Sequence, residues 1–280
     1  MSIPKVLYLY WGNETISFLR AFSITSFASL NPDWHVVIIK NHNQNEQRRW
    51  QTGETSDKDY YTGEDYSYVF DRFSNIELKP FNFDRIYEID PKMADVHVKD
   101  ILNWFLLSTS GGFVVDTDVL FFKPFAEKFA RIALNDIALT CFKNLPAKDY
   151  IPVTFMGSSP NNPFFSKIYE NAKKFYRPND YQSCGTYCMG YRTLEEIAQD
   201  YQQLSIYDLG DIIYPFMTQY SFNSALHMIH FQNCFSKIPD NVIGIHWYGG
   251  CSIARKSNEN INHENCMVIE NTLTAAIKVV

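Results

Sequence analysis

Two aspartates, Asp116 and Asp118, are separated by one threonine and have the type and spacing of metal ligands. In an extended segment, side chains two positions apart point to the same side, so their carboxylates lie close together. Paired carboxylates bind hard divalent cations such as Mg²⁺ or Mn²⁺, which take oxygen ligands. The pair therefore predicts a metal site, and a cation there can neutralise charge on phosphate groups.

The sequence around the pair separates it from a chance match. The same spacing occurs at Asp57 and Asp59, where the surroundings are polar and a solvated turn explains it. The 116–118 pair instead follows a helical pattern over 95–110, two glycines and the apolar strand 113–115. Since open α/β sheets bind ligands at the carboxyl ends of their strands, this position favours a functional site.

The first forty residues predict the elements that would carry such a site. Lys5–Tyr10 has the pattern of a buried strand, residues 15–29 have near-helical apolar spacing, and Trp34–Lys40 is a second apolar run. Asn31-Pro32 ends the predicted helix. Strand, helix and strand in this order indicate an α/β domain with a doubly wound sheet, and Val242–His246 is a late strand.

The remaining segments are less regular. Residues 41–65 are polar and without period, which predicts an exposed excursion. Asn162-Pro163 resembles the start of a helix that continues to about 176, and 193–196 fits a capping box.

Composition bounds the class of protein. The chain has 280 residues, of which 46% are hydrophobic, so it can bury a substantial core. Its net charge of −6 argues against a nucleic-acid partner, because such binding depends on basic side chains. Six cysteines form no zinc pattern and are expected as free thiols. Without a signal peptide or an apolar stretch of about twenty residues, we expect a cytoplasmic protein.

Three segments resemble one known family. The segment from Lys99 to Asp118 resembles the block S-D-x-x-R … G-G-x-Y-x-D-x-D of the DXD sugar-binding glycosyltransferases. These include fungal α-mannosyltransferases, bacterial capsule and lipopolysaccharide transferases, and large glucosylating toxins. The opening from Ile3 to Gly12 resembles the family's I-P-K-x-x-H-x-x-W-x-G start, with a shorter gap. Ile245-His246-Trp247 resembles its C-terminal H-x-W element.

The resemblance implies a GT-A fold, which is an α/β fold with a Rossmann-like mixed central sheet between helices. It implies a nucleotide-sugar donor, more often UDP-linked than GDP-linked, Mn²⁺ or Mg²⁺ as cofactor, and retention of configuration. The acceptor would be a glycan or a lipid-linked saccharide, and the latter would bring peripheral membrane association. We expect one domain over 1–280, with a donor-binding half 1–125 and an acceptor half 126–280.

The resemblance also assigns roles to single residues. Trp11 would stack on the nucleotide base, Asp100 would bind sugar hydroxyls, Asp116 would lie near the ribose and the metal, and Asp118 would bind the metal. Apart from the resemblance, the position of His246 at a strand end would let it ligate the metal or contact the diphosphate. The alternatives are a core position for Trp11, a surface charge at Asp100 and a buried histidine bonded to backbone at His246.

Three positions depart from the family pattern: Lys99 replaces Ser, Asn103 replaces Arg and Val114 replaces Tyr. Asn is shorter and neutral, so a pocket built around Asn103 has more room and less positive charge. We therefore expect a donor other than UDP-glucose, held partly by Asn103. Two other functions stay open: a toxin-like transferase that glycosylates a protein, and a catalytically silent module that binds sugar nucleotides.

Overall fold

The computed structural model describes residues 2–12, 15–41, 61, 63–81, 95–140, 152–175, 204–217 and 219–280. The capping-box segment 193–196 and nearly all of the polar excursion 41–65 lie outside these ranges. The strands are β1 (Val6–Trp11), β2 (His35–Asn41), β3 (Ile76–Phe81), β4 (Gly112–Val115), β5 (Val119–Phe121), β6 (Ile137–Leu139), β7 (Phe155–Ser158), β8 (Ile206–Asp208) and β9 (Gly244–His246). The α-helices are α1 (Phe18–Leu30), α2 (Asp95–Thr109), α3 (Ala126–Ile132), α4 (Pro163–Phe175), α5 (Phe222–Phe231), α6 (Ser252–Asn260) and α7 (Thr272–Ile277).

Seven of these strands form one mixed sheet in the order β3-β2-β1-β4-β7-β6-β8. The strands β3, β2, β1 and β4 are parallel, β7 is antiparallel to both of its neighbours, and β8 is parallel to β6. The other two, β5 and β9, form a small antiparallel sheet. The predicted α/β class and mixed sheet are confirmed.

The first two strands and the helix between them form where the sequence predicts, with shifted ends. β1 includes Trp11, which pairs with Lys40, so Trp11 is the last strand residue and does not follow the strand. α1 begins at Phe18 and not at 15, because the Ser17 hydroxyl accepts the backbone N–H of Arg20 and caps the helix. The helix ends at Leu30 with Asn31 as its C-cap, where the sequence predicts the stop.

The sheet is covered on both faces, as a mainly parallel sheet requires. Leu7 and Leu9 of β1 pack into a core with α1 and the C-terminal helices, while Tyr10 packs on the opposite face with α2 and α4. Rings dominate the first core: Trp34 packs against Phe129 with ring centroids 4.9 Å apart and against the other rings around it (Phe27, Phe113, Phe125). Most described aromatics therefore serve packing.

The turn between α2 and β4 determines where the aspartate pair begins. Gly111 has a φ of +65°, the left-handed conformation that ends many helices. A Cβ on Gly111 would lie 2.6 Å from the backbone nitrogen of Pro160, so no other residue fits without a shift. The predicted Gly-Gly stop is thereby confirmed, and β4 leads directly to Asp116.

Two further expectations concern cysteines and membranes. Cys234, Cys251 and Cys266 are in no disulfide, as predicted, while the other three cysteines lie outside the described residues. Within the described part of the chain, no helix has both the length and the apolar character needed to cross a membrane.

Candidate active site

Asp116 and Asp118 lie in a tight turn that joins β4 to β5. The N–H of Asp116 donates to the carbonyl of Thr154 at 3.0 Å, and the N–H of Val119 donates back to the carbonyl of Asp116 at 3.3 Å. The sequence predicts that strand alternation brings the two carboxylates together, and this reason is wrong. A turn brings them together instead, because the extended backbone of β4 ends at Val115.

The small β5–β9 sheet brings His246 to the same place. Val119 is the register partner of His246, and the N–H of Trp247 donates to the carbonyl of Asp118 at 3.0 Å. Nε2 of His246 lies 3.4 Å from Oδ1 of Asp118. One ligand atom from each of Asp116, Asp118 and His246 lies within 4.8 Å of the others. The structure therefore groups the three predicted metal ligands.

Two buried atoms of this group have no hydrogen-bond partner in the structure: Oδ1 of Asp118 and Nδ1 of His246. Buried polar atoms are nearly always paired with protein, water or an ion. Among the described residues, no backbone group bonds to Nδ1 of His246. The alternative of a buried histidine held by backbone is therefore wrong for this ring atom. These atoms have the chemistry to bind a cation.

Asp118 is held in its ionised form. Burial alone raises the pKa of its carboxyl, but His246, Arg20 and the N–H of Gly249 outweigh that effect and hold this pKa well below its usual range. The N–H of Gly249 donates to Oδ2 at 2.6 Å, which leaves Oδ1 available for a ligand.

Asp100 on α2 is buried, so the alternative of a surface charge is wrong. Neither of its carboxyl oxygens has a hydrogen-bond partner. Burial raises the pKa of Asp100 to about 7, because Asp116 adds to the effect and Lys99 only partly opposes it. Asn103, less than one turn further along α2, is also buried.

Lys99 joins the helix to the aspartate turn. Its Nζ donates to Oδ1 of Asp116 at 2.7 Å and lies 3.6 Å from Oδ1 of Asp100, too far for a hydrogen bond. Burial by itself lowers the pKa of Lys99, but Asp116 and Asp100 outweigh burial and raise it, so the side chain is a stable ammonium.

Arg20 occupies the other side of the turn. Its guanidinium carbon lies 5.2 Å from the ring centre of Trp11 and 5.3 Å from that of Trp247, a double cation–π contact. Its Nη1 donates to the hydroxyl of Thr117 at 2.6 Å. Trp11 is only partly buried beside the core, and its contact with a nucleotide stays a prediction.

Sequence reasoning missed Arg20 and Lys99 as members of the site. Arg20 is the only charged residue of α1 (FLRAFSITSFASL), and a single charge in an otherwise apolar and small-residue helix is a usable signal. Lys99 was visible only as a departure from the family pattern. Its partner Asp116 is 17 positions away, and that contact depends on how α2 packs.

No protein-family model matches the chain, and no curated protein matches its sequence. Among solved structures it is similar to the PaToxG glycosyltransferase, with 16% identity over 72% of this chain and 71% of that one and a TM-score of 0.50. It shares 11% identity with the glycosyltransferase GlyE of Streptococcus pneumoniae over 86% of this chain and 54% of that one, with a TM-score of 0.47. For the galactosyltransferase LgtC the identity is 9%, the coverage 93% and 98%, and the TM-score 0.42.

The protein has the GT-A fold: a central seven-stranded, mostly parallel sheet between helices. The resemblance of the sequence implied this fold, and on this point it is confirmed.

Proposed function

We propose that this chain is a metal-dependent glycosyltransferase that takes a sugar from a nucleotide-sugar donor. The observation that carries the proposal is the grouping of Asp116, Asp118 and His246 at the carboxyl end of β4. In an open α/β sheet this is the edge at which ligands bind. The GT-A fold supports the same conclusion. We further propose one domain over 1–280, with the donor bound by 1–125 and the acceptor by 126–280.

The side chains fit a divalent cation. Asp116, Asp118 and His246 would hold it with carboxylate oxygens and an imidazole nitrogen. An imidazole ligand favours a transition metal, so we propose Mn²⁺ before Mg²⁺. A bound cation supplies charge stabilisation for the departing nucleotide diphosphate. The ionised state of Asp118 suits this role, because metal ligands must be deprotonated.

Two buried side chains of α2 support a sugar-binding role for this helix. Asp100 has two carboxyl oxygens without partners, and hydroxyl groups of a donor sugar are suitable donors for them. Asn103 offers both a donor and an acceptor on the same side of the helix. We propose that both residues bind the sugar, with Trp11 stacked on the nucleotide base and UDP preferred to GDP.

The acceptor we propose is a glycan or a lipid-linked saccharide, glycosylated with retention of configuration as in polysaccharide biosynthesis. A lipid-linked acceptor would place the protein at a membrane surface. Cys234, Cys251 and Cys266 form no disulfide, which supports work in a reducing compartment such as the cytoplasm. Transfer to a protein side chain, and binding without turnover, are the outcomes that would change this proposal.

The first test measures donor hydrolysis and transfer with a panel of UDP- and GDP-sugars, with Mn²⁺, Mg²⁺ or a chelator. Asp118→Asn should lower turnover more than about 100-fold, because loss of a ligand costs more than the 10–100-fold of an outer-shell change. Asp71 is an exposed carboxylate on the 3-10 helix Ser67–Arg72. Its variant Asp71→Asn is the matched control and should keep native turnover. Full activity of Asp118→Asn in excess chelator would falsify the proposal.

The same panel tests the role of Asn103. We expect a best donor other than UDP-glucose, and a changed donor ranking in Asn103→Ala. If UDP-glucose is the best donor and the substitution leaves the ranking unchanged, Asn103 does not select the sugar.

A further inference from the structure

Lys99 is a cation that the chain itself places in the candidate metal site. Its Nζ lies 2.7 Å from a carboxylate oxygen of Asp116, a distance typical of a charge-assisted hydrogen bond. The same Nζ lies 3.6 Å from Asp100. The Lys99 side chain is 16% exposed, so water screens these contacts only weakly.

The ammonium therefore contacts a carboxylate that the proposed cation also needs. A divalent cation that binds to Asp116 comes close to a fixed positive charge, and like charges a few ångströms apart repel strongly in a buried site. Binding of the cation alone is thus weakened. A nucleotide diphosphate that arrives with the cation brings negative charge, which can accept contacts from both the cation and the ammonium.

We propose that Lys99 is a built-in counter-ion of the metal site, which pairs with Asp116 until the divalent cation and a nucleotide diphosphate bind together. The inference rests on the proposed function, because it requires a cation site for a nucleotide. In this scheme Lys99 neutralises Asp116 before the cation binds and makes cation binding depend on the nucleotide.

The alternative is that Lys99 only fastens α2 to the aspartate turn. The two roles predict opposite results when the charge is removed and the length of the side chain is kept. In Lys99→Met, a purely structural lysine would leave Mn²⁺ affinity unchanged or lower. If Lys99 is a counter-ion, its removal frees Asp116 from a competing positive charge, and Mn²⁺ affinity would rise.

The experiment is a calorimetric titration of Mn²⁺ into the full chain, with and without saturating UDP, and again with GDP. For the native protein we expect UDP or GDP to raise Mn²⁺ affinity at least about tenfold, and Mn²⁺ to raise nucleotide affinity by the same factor. For Lys99→Met we expect Mn²⁺ alone to bind about tenfold tighter, and the gain from nucleotide to shrink. The control is Lys123→Met, because the ammonium of Lys123 contacts the backbone carbonyl of Asp240. This variant should behave as native.

A folded Lys99→Met with native or weaker Mn²⁺ affinity in the absence of nucleotide overturns the proposal. If Lys99→Met does not fold, the same Mn²⁺ titrations of Lys99→Arg and of the native protein test the proposal. The arginine variant should keep the nucleotide dependence, and native Mn²⁺ binding that is equally tight without nucleotide overturns the proposal as well. Failure of the proposed function looks different: Mn²⁺ would bind neither with nor without nucleotide, and Asp118→Asn would change nothing.

Discussion

The backbone N–H of Gly249 donates a 2.6 Å hydrogen bond to Oδ2 of Asp118, across 131 positions of sequence. This bond orients the carboxylate, because it occupies one oxygen and leaves the other toward His246. The backbone of the C-terminal turn thus becomes an outer-shell partner of the proposed metal ligand, and such partners tune metal sites strongly.

Gly249→Ala tests this contact. The added methyl would lie 2.7 Å from Nη2 of Arg20 and 2.8 Å from the ring of Trp247, which is fully buried and cannot move aside. The backbone N–H must therefore shift away from Asp118. We expect a loss of roughly 1–3 kcal/mol in the free energy of unfolding and about 10–100-fold in Mn²⁺ affinity. Thermal melting and Mn²⁺ titration measure the two effects, and native Mn²⁺ binding by this variant would contradict the assigned role.

Arg20→Lys separates charge from geometry at the other side of the turn. Lysine keeps the positive charge near Asp118, but it lacks the planar fork that contacts two rings and Thr117 together. We expect UDP–Mn²⁺ affinity to fall about tenfold, a typical outer-shell effect, in a protein that still folds. Arg131→Lys, on the exposed face of α3, serves as the control and should leave affinity unchanged.

Trp11→Ala tests the predicted contact with the nucleotide base. Loss of a base–aromatic stack should weaken UDP binding by roughly 1–3 kcal/mol. Trp11→Phe keeps an aromatic face at the end of β1 and should retain most of the affinity. Equal UDP affinity in native protein and a folded alanine variant would mean that Trp11 serves only the core and Arg20.

His230 should make stability depend on pH. It is buried, its Nε2 donates to the carbonyl of Trp247 at 2.9 Å, and its Nδ1 lies 2.8 Å from the hydroxyl of Ser257, a pattern that suits the neutral ring. Burial lowers the pKa of His230 to about 4, although the bond to Trp247 opposes the shift. The unfolded chain binds this proton near pH 6.5 and the folded protein only near pH 4, so stability is lost as pH falls between these values.

We expect His230 to contribute a loss of about 3 kcal/mol in the free energy of unfolding between pH 7 and pH 4. Urea unfolding of native protein and of His230→Gln over this range measures it. The glutamine variant should start less stable and show a flatter profile. Profiles of equal slope would show that His230 is not the group responsible.

The sequence by itself determined the local elements and the first half of the site. Hydrophobic runs predict β1 and β2 with α1 between them, and the Gly111-Gly112 stop after α2 places Asp116 at the carboxyl end of β4. These signals depend on neighbours a few positions apart, so a pattern can report them. Even here the strand-based reason for pairing Asp116 with Asp118 was wrong, because a turn forms where β4 ends.

The tertiary structure alone decided which distant groups complete the site. The β5–β9 register brings His246 beside Asp118, and the packing of α1 places Arg20 between Trp11 and Trp247. The packing of α2 decides that Lys99 reaches Asp116. None of these contacts follows from local propensity, because strand pairing and helix packing depend on how the whole core fills. The charge of the site, and with it the proposed dependence of cation binding on the nucleotide, depends on those contacts.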